Sequence, residues 1–320
     1  MRYFLEEFLY AQRVGRIIKN FQPAVIIISS DFPTYYLDLL PSRPLKIISL
    51  HNTFWRPYGQ PTGTKQIALN LIRKISLRKS YFAVSVSREC KRQFDKLRSN
   101  SVKLSAVQIP RLEERFIDGG QSTPRRLLYV GRVELNKGVT DLIEAFNLIM
   151  SSAPGITLKI VGNGTALDTC RDLTARLGVD GSVEFTGRLD ADGVGKAYAE
   201  SDLCVCPTRW SFNEGLATVP LEAASYGVPT LMSEAVPAKE QFGSDALLCE
   251  PGDIEDLAQK LAEVVTDSET YRRARCDARE SFSRTMREVS DWKTGIYACL
   301  RQMPDLGSGP IDWLDAAASA

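Results

Sequence analysis

Short, unbroken runs of β-branched and apolar residues, each followed by a turn and then a helical pattern, constrain this chain most. AVIIISS from Ala24 and PLKIISLHN from Pro44 are continuous rather than alternating. Runs of that kind form strands buried on both faces, as in parallel sheets covered by helices. FAVSVS at Phe82, VKLSAVQIP at Val102, RLLYVG at Arg126, KIVGNG at Lys159 and VEFTG at Val183 continue the series. DLCVCP at Asp202, PTLMS at Pro229 and ALLCEPGD at Ala246 complete it. Between them lie helical patterns: residues 3–20, with Leu5, Phe8, Leu9, Val14, Ile17 and Ile18 on one side, then 65–79, 89–97, 254–266, 269–282 and 285–300. The alternation predicts an α/β fold. At 320 residues and 44% hydrophobic content, two domains are the natural expectation.

One stretch organises the second half: SFNEGLATVPLEAASYG, from Ser211 to Gly227. Glu214 and Glu222 stand eight apart, with Gly215 between them. Asn213 suits an N-cap, and Leu216, Val219, Leu221, Ala223 and Ala224 predict helix from about Gly215, capped at Gly227. The glutamates then sit where a strand end meets a helix, the place where open α/β sheets bind ligands. Eight helical residues span roughly 12 Å. Carboxylates that act on one glycosidic carbon lie about 5–10 Å apart. This pair would instead touch two ends of an elongated ligand, with a phosphate at the helix N-terminus between them. Two solvated helix glutamates are the plainer alternative.

E-x7-E followed by EAASYGVPT resembles the signature of glycosyltransferase family 4, the retaining GT-B enzymes. LLYVGRVELNKGVTDLIEAF, LKIVGNG, VEFTGRL and YAESDLCVCPT continue the resemblance in order and spacing. It is strong over residues 127–265 and weak over the first third. It implies two Rossmann-like domains facing a cleft, with the donor site in the second. The expected division is 1–122 as a shortened acceptor-side domain, 123–282 as the nucleotide-sugar domain, 283–302 as a helix crossing back, and 303–320 as a disordered tail. Gly119, Gly120, Ser122 and Pro124 read as the linker. Against the family pattern the chain starts on a helix that looks like a later element, so the first domain is expected to lack about two β/α units, through a truncated reading frame or a reduced variant. The Asn-Gly step at the linker is missing too.

The resemblance also implies roles. Arg132 and Lys137 would stabilise a departing diphosphate, a task fixed cations perform as negative charge develops. Glu214 would hold sugar hydroxyls and Glu222 the ribose. N–H groups at Leu216 and Ala217 would meet the sugar or β-phosphate, with Gly215 and Thr218 beside them. Gly131 and Gly162 allow close backbone approach in the strand-to-helix turns, and Arg188 and Leu189 would line the base through their main chain. His51 ends a strand, near where the family often has a histidine beside the acceptor; a structural role is the alternative. Ser87 reads as the N-cap of the helix that follows it. No metal and no cofactor is expected, the donor being a UDP- or GDP-linked sugar. No G-x-G-x-x-G fingerprint is present, so NAD binding is not expected.

Residues 1–122 hold 20 Lys and Arg against 9 Asp and Glu, and the remainder 20 against 30. The basic density peaks over 65–103, which fits either a solvated helix face or an anionic acceptor or membrane surface. Seven scattered cysteines, with a single histidine, read as reduced core residues. MRYFLEEFLY carries acid where a signal peptide needs base, and AVIII is too short to span a bilayer. The expectation is a cytoplasmic protein, soluble or peripheral at the inner membrane face, that uses a glycan or lipid-linked acceptor in cell-envelope polysaccharide assembly and binds no nucleic acid. A non-catalytic nucleotide-sugar-binding remnant and a sugar-nucleotide epimerase are the alternatives.

Overall fold

The structure is a computed structural model describing residues 2–29, 32–42, 44–59, 63–77, 82–97, 105–107, 112–117, 123–288 and 292–301. Linker residues Gly119, Gly120 and Ser122 and the tail from Pro304 lie outside the described residues. The chain divides into two units: Met1–Pro110 with Val289–Ala320, and Arg111–Glu288.

The first unit runs α1 (Arg2–Phe21), β1 (Val25–Ser29), a 3-10 turn (Thr34–Leu39), β2 (Leu45–Leu50), α2 (Thr64–Ser76), β3 (Phe82–Ser85), α3 (Arg88–Leu97) and β4 (Ser105–Val107). Its strands pair in parallel in the order β1-β2-β3-β4, with Ile47 opposite Phe82. Adjacent strand residues point to opposite faces. Accordingly Ile48 and Leu50 pack with Ala11, Ile18 and Phe94 on one face, while Ile47, Phe82 and Val84 form the other. The Ser87 hydroxyl accepts the Cys90 N–H at 3.1 Å and so caps α3.

The second unit runs β5 (Arg126–Val130), α4 (Val139–Ile149), β6 (Thr157–Val161), α5 (Leu167–Leu177), β7 (Val183–Gly187), α6 (Ala191–Ala199) and β8 (Leu203–Cys206). It continues through α7 (Val219–Ser225), β9 (Thr230–Ser233), β10 (Leu247–Cys249), α8 (Ile254–Thr266) and α9 (Ser268–Glu288). The sheet order is β10-β9-β8-β5-β6-β7, all parallel. The chain leaves β5 toward β7, then returns to start again at β8 on the other side. The strand order reverses between β5 and β8, and a crevice opens beyond the carboxyl ends of such a pair. Leu127, Leu142, Phe146, Ile160, Leu203 and Leu261 are core members with at most 1% exposure. Burial of each such side chain stabilises by about 1.5–3 kcal/mol.

Two helix expectations are corrected. The helix predicted from about Gly215 begins at Val219, with Thr218 rather than Asn213 at its N-cap. Pro220 has no N–H, so Leu216 could not receive the i→i+4 bond that a longer helix needs. The Leu216 carbonyl accepts instead from Ala238 N–H, at 2.9 Å. The pattern over 285–300 falls across two helices, α9 ending at Glu288 and α10 (Trp292–Arg301). From α10, Ile296 and Cys299 pack on Ile47, Phe82 and Val84 in the first unit.

Six of the seven cysteines are buried, Cys276 is exposed, and all are free thiols. Among the described residues no helix is long and apolar enough to cross a membrane.

Asp202, the residue ahead of β8, is tied to the start of β5. It is 3% exposed and accepts from the N–H groups of Arg125 and Arg126, at 3.0 and 2.9 Å, and from the Arg126 guanidinium at 2.6 Å. Burial pushes its pKa up, but those bonds outweigh burial and hold it below the ordinary aspartate value. A depressed carboxylate adds stability above its unfolded pKa of about 3.9 and loses it as pH falls through the folded value. Asp202→Asn is therefore expected to melt well below wild type at pH 7. The gap should close as pH drops below about 4, which thermal melts across pH will read.

Candidate functional site

The carboxyl ends of β5 and β8 feed two turns, 131–138 and 207–218, which carry most of the residues singled out by sequence. Arg132 and Lys137 come from the first, Glu214 from the second. The Lys137 ammonium forms an ion pair with the Glu214 carboxylate, whose residue is 8% exposed. Phe212 lies beneath both cations. Lys137 Nζ stands 3.9 Å from its ring centre and the Arg132 guanidinium 5.3 Å. Arg132 itself is exposed. Phe212 has no marker in the sequence, because an aromatic ring three residues before a glycine reads as ordinary loop.

Several bonds fix this geometry. Tyr129 is 3% exposed, and burial holds its hydroxyl protonated well above the usual range. That hydroxyl donates to the Arg132 carbonyl at 2.6 Å. Arg209 pairs with the buried Asp141, and its N–H donates to the Asn136 carbonyl at 3.0 Å. Glu134 accepts from the Thr165 hydroxyl at 2.5 Å and its N–H at 3.3 Å, joining the turns after β5 and β6. These Thr165 bonds hold the Glu134 carboxyl below the ordinary range.

Gly131 (φ 149°) and Gly162 (φ 142°) follow β5 and β6 directly. A Cβ on Gly162 would stand 1.8 Å from the Gly131 carbonyl oxygen. The two turns touch through backbone, which only glycine permits.

Glu222 lies on α7 and accepts from the Tyr198 hydroxyl at 2.9 Å. Burial, reinforced by nearby Cys204 and Glu222, keeps that hydroxyl protonated, so it remains a donor. Tyr198 stacks on Tyr226 at 5.7 Å between ring centres. Glu214 and Gly215 stand in the loop ahead of α7, so the helical separation expected of the two glutamates does not apply. Leu216, Ala217 and Thr218 complete that loop. Ala217 takes the left-handed conformation, φ 57°, which is uncommon for a residue with a side chain. Arg188 is exposed just past β7. The Leu189 side chain packs against the cluster that holds Leu128, Val161 and Tyr198.

His51 belongs to the first unit and opens the loop after β2. Its Nε2 lies 2.8 Å from the Ser49 hydroxyl. Buried Gln93 accepts from the N–H groups of Phe54 and Trp55, at 2.7 and 3.0 Å, and Glu89 from that of Tyr58 at 2.8 Å. Burial pushes Glu89 up, yet bonds from Arg92, Gln93 and Tyr58 leave it below its ordinary value. Among the described residues no three His, Cys, Asp or Glu side chains gather as a metal site.

A family model described as glycosyl transferases group 1 matches residues 110–281. Glycogen synthase of Mycobacterium tuberculosis is 32% identical over 173 residues, 53% of this chain and 40% of that protein. N-acetyl-alpha-D-glucosaminyl L-malate synthase of Bacillus anthracis is 30% identical over 188 residues, 57% of this chain and 48% of that one. The chain thus spans less than half the length of these curated relatives. Sucrose-phosphate synthase from Thermosynechococcus elongatus superposes with a TM-score of 0.71 at 16% identity, over 92% of this chain and 77% of that one. Anabaena HepE in complex with UDP gives 0.69 at 16%, over 92% and 82%. At such identities the likeness establishes the fold, an α/β chain of GT-B type with two Rossmann-like units.

Proposed function

The chain belongs to the glycosyl transferases group 1 family, and on that premise we propose that it moves a sugar from a nucleotide diphosphate sugar to an acceptor hydroxyl with retention. One observation carries the proposal: Arg132 and Lys137 converge on the Phe212 ring at the β5–β8 reversal, and Lys137 pairs with Glu214. Two cations held by an aromatic face and a carboxylate, in a crevice of this type, suit an anionic ligand that bears a polar group on one side.

In this reading the bond from the sugar anomeric carbon to the diphosphate breaks, and a bond from the acceptor oxygen forms on the same face. The acceptor proton passes to the departing phosphate. Arg132 and Lys137 stabilise the charge that gathers there, with no divalent ion required. Glu214 holds sugar hydroxyls and orients Lys137. Glu222, aligned by Tyr198, holds the ribose. The N–H groups of Leu216 and Ala217, with Gly215 and Thr218, line the sugar and β-phosphate. Gly131 and Gly162 let backbone approach the diphosphate, and Arg188 and Leu189 face the base. His51 serves the acceptor from the first unit. UDP- or GDP-sugars are the proposed donors. The acceptor is a glycan or lipid-linked glycan of envelope polysaccharide assembly, reached from the cytoplasmic face of an anionic membrane.

Release of free nucleotide diphosphate from UDP-, GDP- and ADP-sugars, followed by chromatography without acceptor, tests the reaction class. Slow release from one donor class is expected, unchanged by a chelator and abolished in Glu214→Ala. A donor that changes stereochemistry while its nucleotide stays attached would make the protein an epimerase. A donor that binds without any release would make it a non-catalytic remnant.

A further inference from the structure

Helix α2 is inside out. Its polar side faces the protein and its apolar side faces solvent. Ile67, Leu71, Ile72 and Ile75 are 57%, 62%, 46% and 47% exposed. At helical spacing they form one stripe along roughly 12 Å of helix.

The helix cannot roll to bury that stripe, because its opposite side is pinned by polar contacts. Gln66 donates to the Phe54 carbonyl at 3.0 Å. Arg73, which also donates to Asn70 of the same helix at 2.7 Å, donates across to the Thr34 hydroxyl at 3.1 Å. The Ser76 hydroxyl donates to the Tyr35 carbonyl at 3.1 Å. Asn70 and Ser76 are 8% and 2% exposed.

Charge selects the occupant. The sequence of α2, TKQIALNLIRKIS, holds no acidic residue, and the exposed Lys65 and Lys74 flank the stripe. A second copy docked about a two-fold axis would set these lysines against their own kind. An anionic lipid surface meets both features, since apolar side chains enter the acyl boundary while lysines meet the headgroups.

We propose that the outward face of α2 is a membrane-docking surface, lying in the plane of an anionic bilayer with Leu71 and Ile75 inserted. This deepens the acceptor side of the function proposed above and rests on it only for its biological purpose.

The test is flotation of the full chain with vesicles of phosphatidylcholine alone and of phosphatidylcholine mixed with phosphatidylglycerol. Wild type is expected to bind the mixed vesicles, less as salt rises. Leu71→Gln with Ile75→Gln should cut binding roughly tenfold or more while leaving helicity and melting temperature unchanged. Lys65→Gln with Lys74→Gln should remove much of the salt dependence. No vesicle-bound fraction at low salt, or equal binding by wild type and the apolar double variant, overturns the proposal. So does a dimer in light scattering that the double variant dissolves while vesicles bind nothing. Vesicle binding is read without donor and donor binding without vesicles, so either can fail while the other stands.

Discussion

Arg132→Ala is expected to lower the rate of sugar transfer by roughly 10²–10³-fold, the usual effect of deleting one group that stabilises developing charge. Its melting temperature should stay near that of wild type. Arg132 is exposed, and the contact it loses is with the Phe212 ring. Lys137→Ala should lose a similar factor and differ in a second respect. It strands Glu214, which is 8% exposed and paired with Lys137. Breaking a buried pair from one side costs about 3–5 kcal/mol, and this pair's partial exposure puts it toward or below the lower end. The two variants thus separate electrostatic stabilisation of the leaving group from stability of the turn. A nucleotide-release assay with parallel thermal melts reads both. Wild-type release by Arg132→Ala would remove this cation from the reaction.

Gly162→Ala is expected to unfold the second unit at lower temperature than any exposed substitution. The new methyl would stand 1.8 Å from the Gly131 carbonyl oxygen, at a φ of 142° that side chains rarely adopt. The turns after β5 and β6 would have to part, breaking the Gly131 N–H to Val161 carbonyl bond of 3.0 Å. A cost of about 3 kcal/mol or more follows. For a unit of this size that is roughly 6–12 °C in melting temperature. Gly178→Ala is the control. It ends α5 at φ 69°, and a methyl group there would have nothing within 4 Å, so it carries conformational strain without the clash. Melting curves of the two variants should differ by most of the predicted shift.

Much of the architecture is legible in the order of residues alone. Ile47 and Ile48 face opposite sides of the first sheet and are both fully buried. That is why their run is continuous and why a parallel sheet follows from it. The start of α7 cannot be read from its apolar spacing, because Leu216 continues the helical pattern. Pro220 is the local signal, while the decisive partner, Ala238, lies far along the chain. Arg132, Lys137 and Glu214 are legible as a set only through a resemblance carried by several linked motifs. Phe212, which gathers the two cations, is not legible, since nothing local marks a ring that works through residues on a distant turn. The orientation of α2 is hidden for a related reason. Periodicity shows that a helix has two sides but not which one faces inward, and here Thr34, Tyr35 and Phe54 decide.

The central claim is that the β5–β8 reversal binds a nucleotide sugar, and thermal-shift binding against UDP-, GDP- and ADP-sugars tests it most directly. Wild type, Arg132→Ala and Glu222→Ala would be compared. A donor at 100 times its dissociation constant should stabilise wild type by about 2.7 kcal/mol. The account predicts a shift with one nucleotide class that both variants lose. A shift that survives in both variants, or none with any donor, would contradict it.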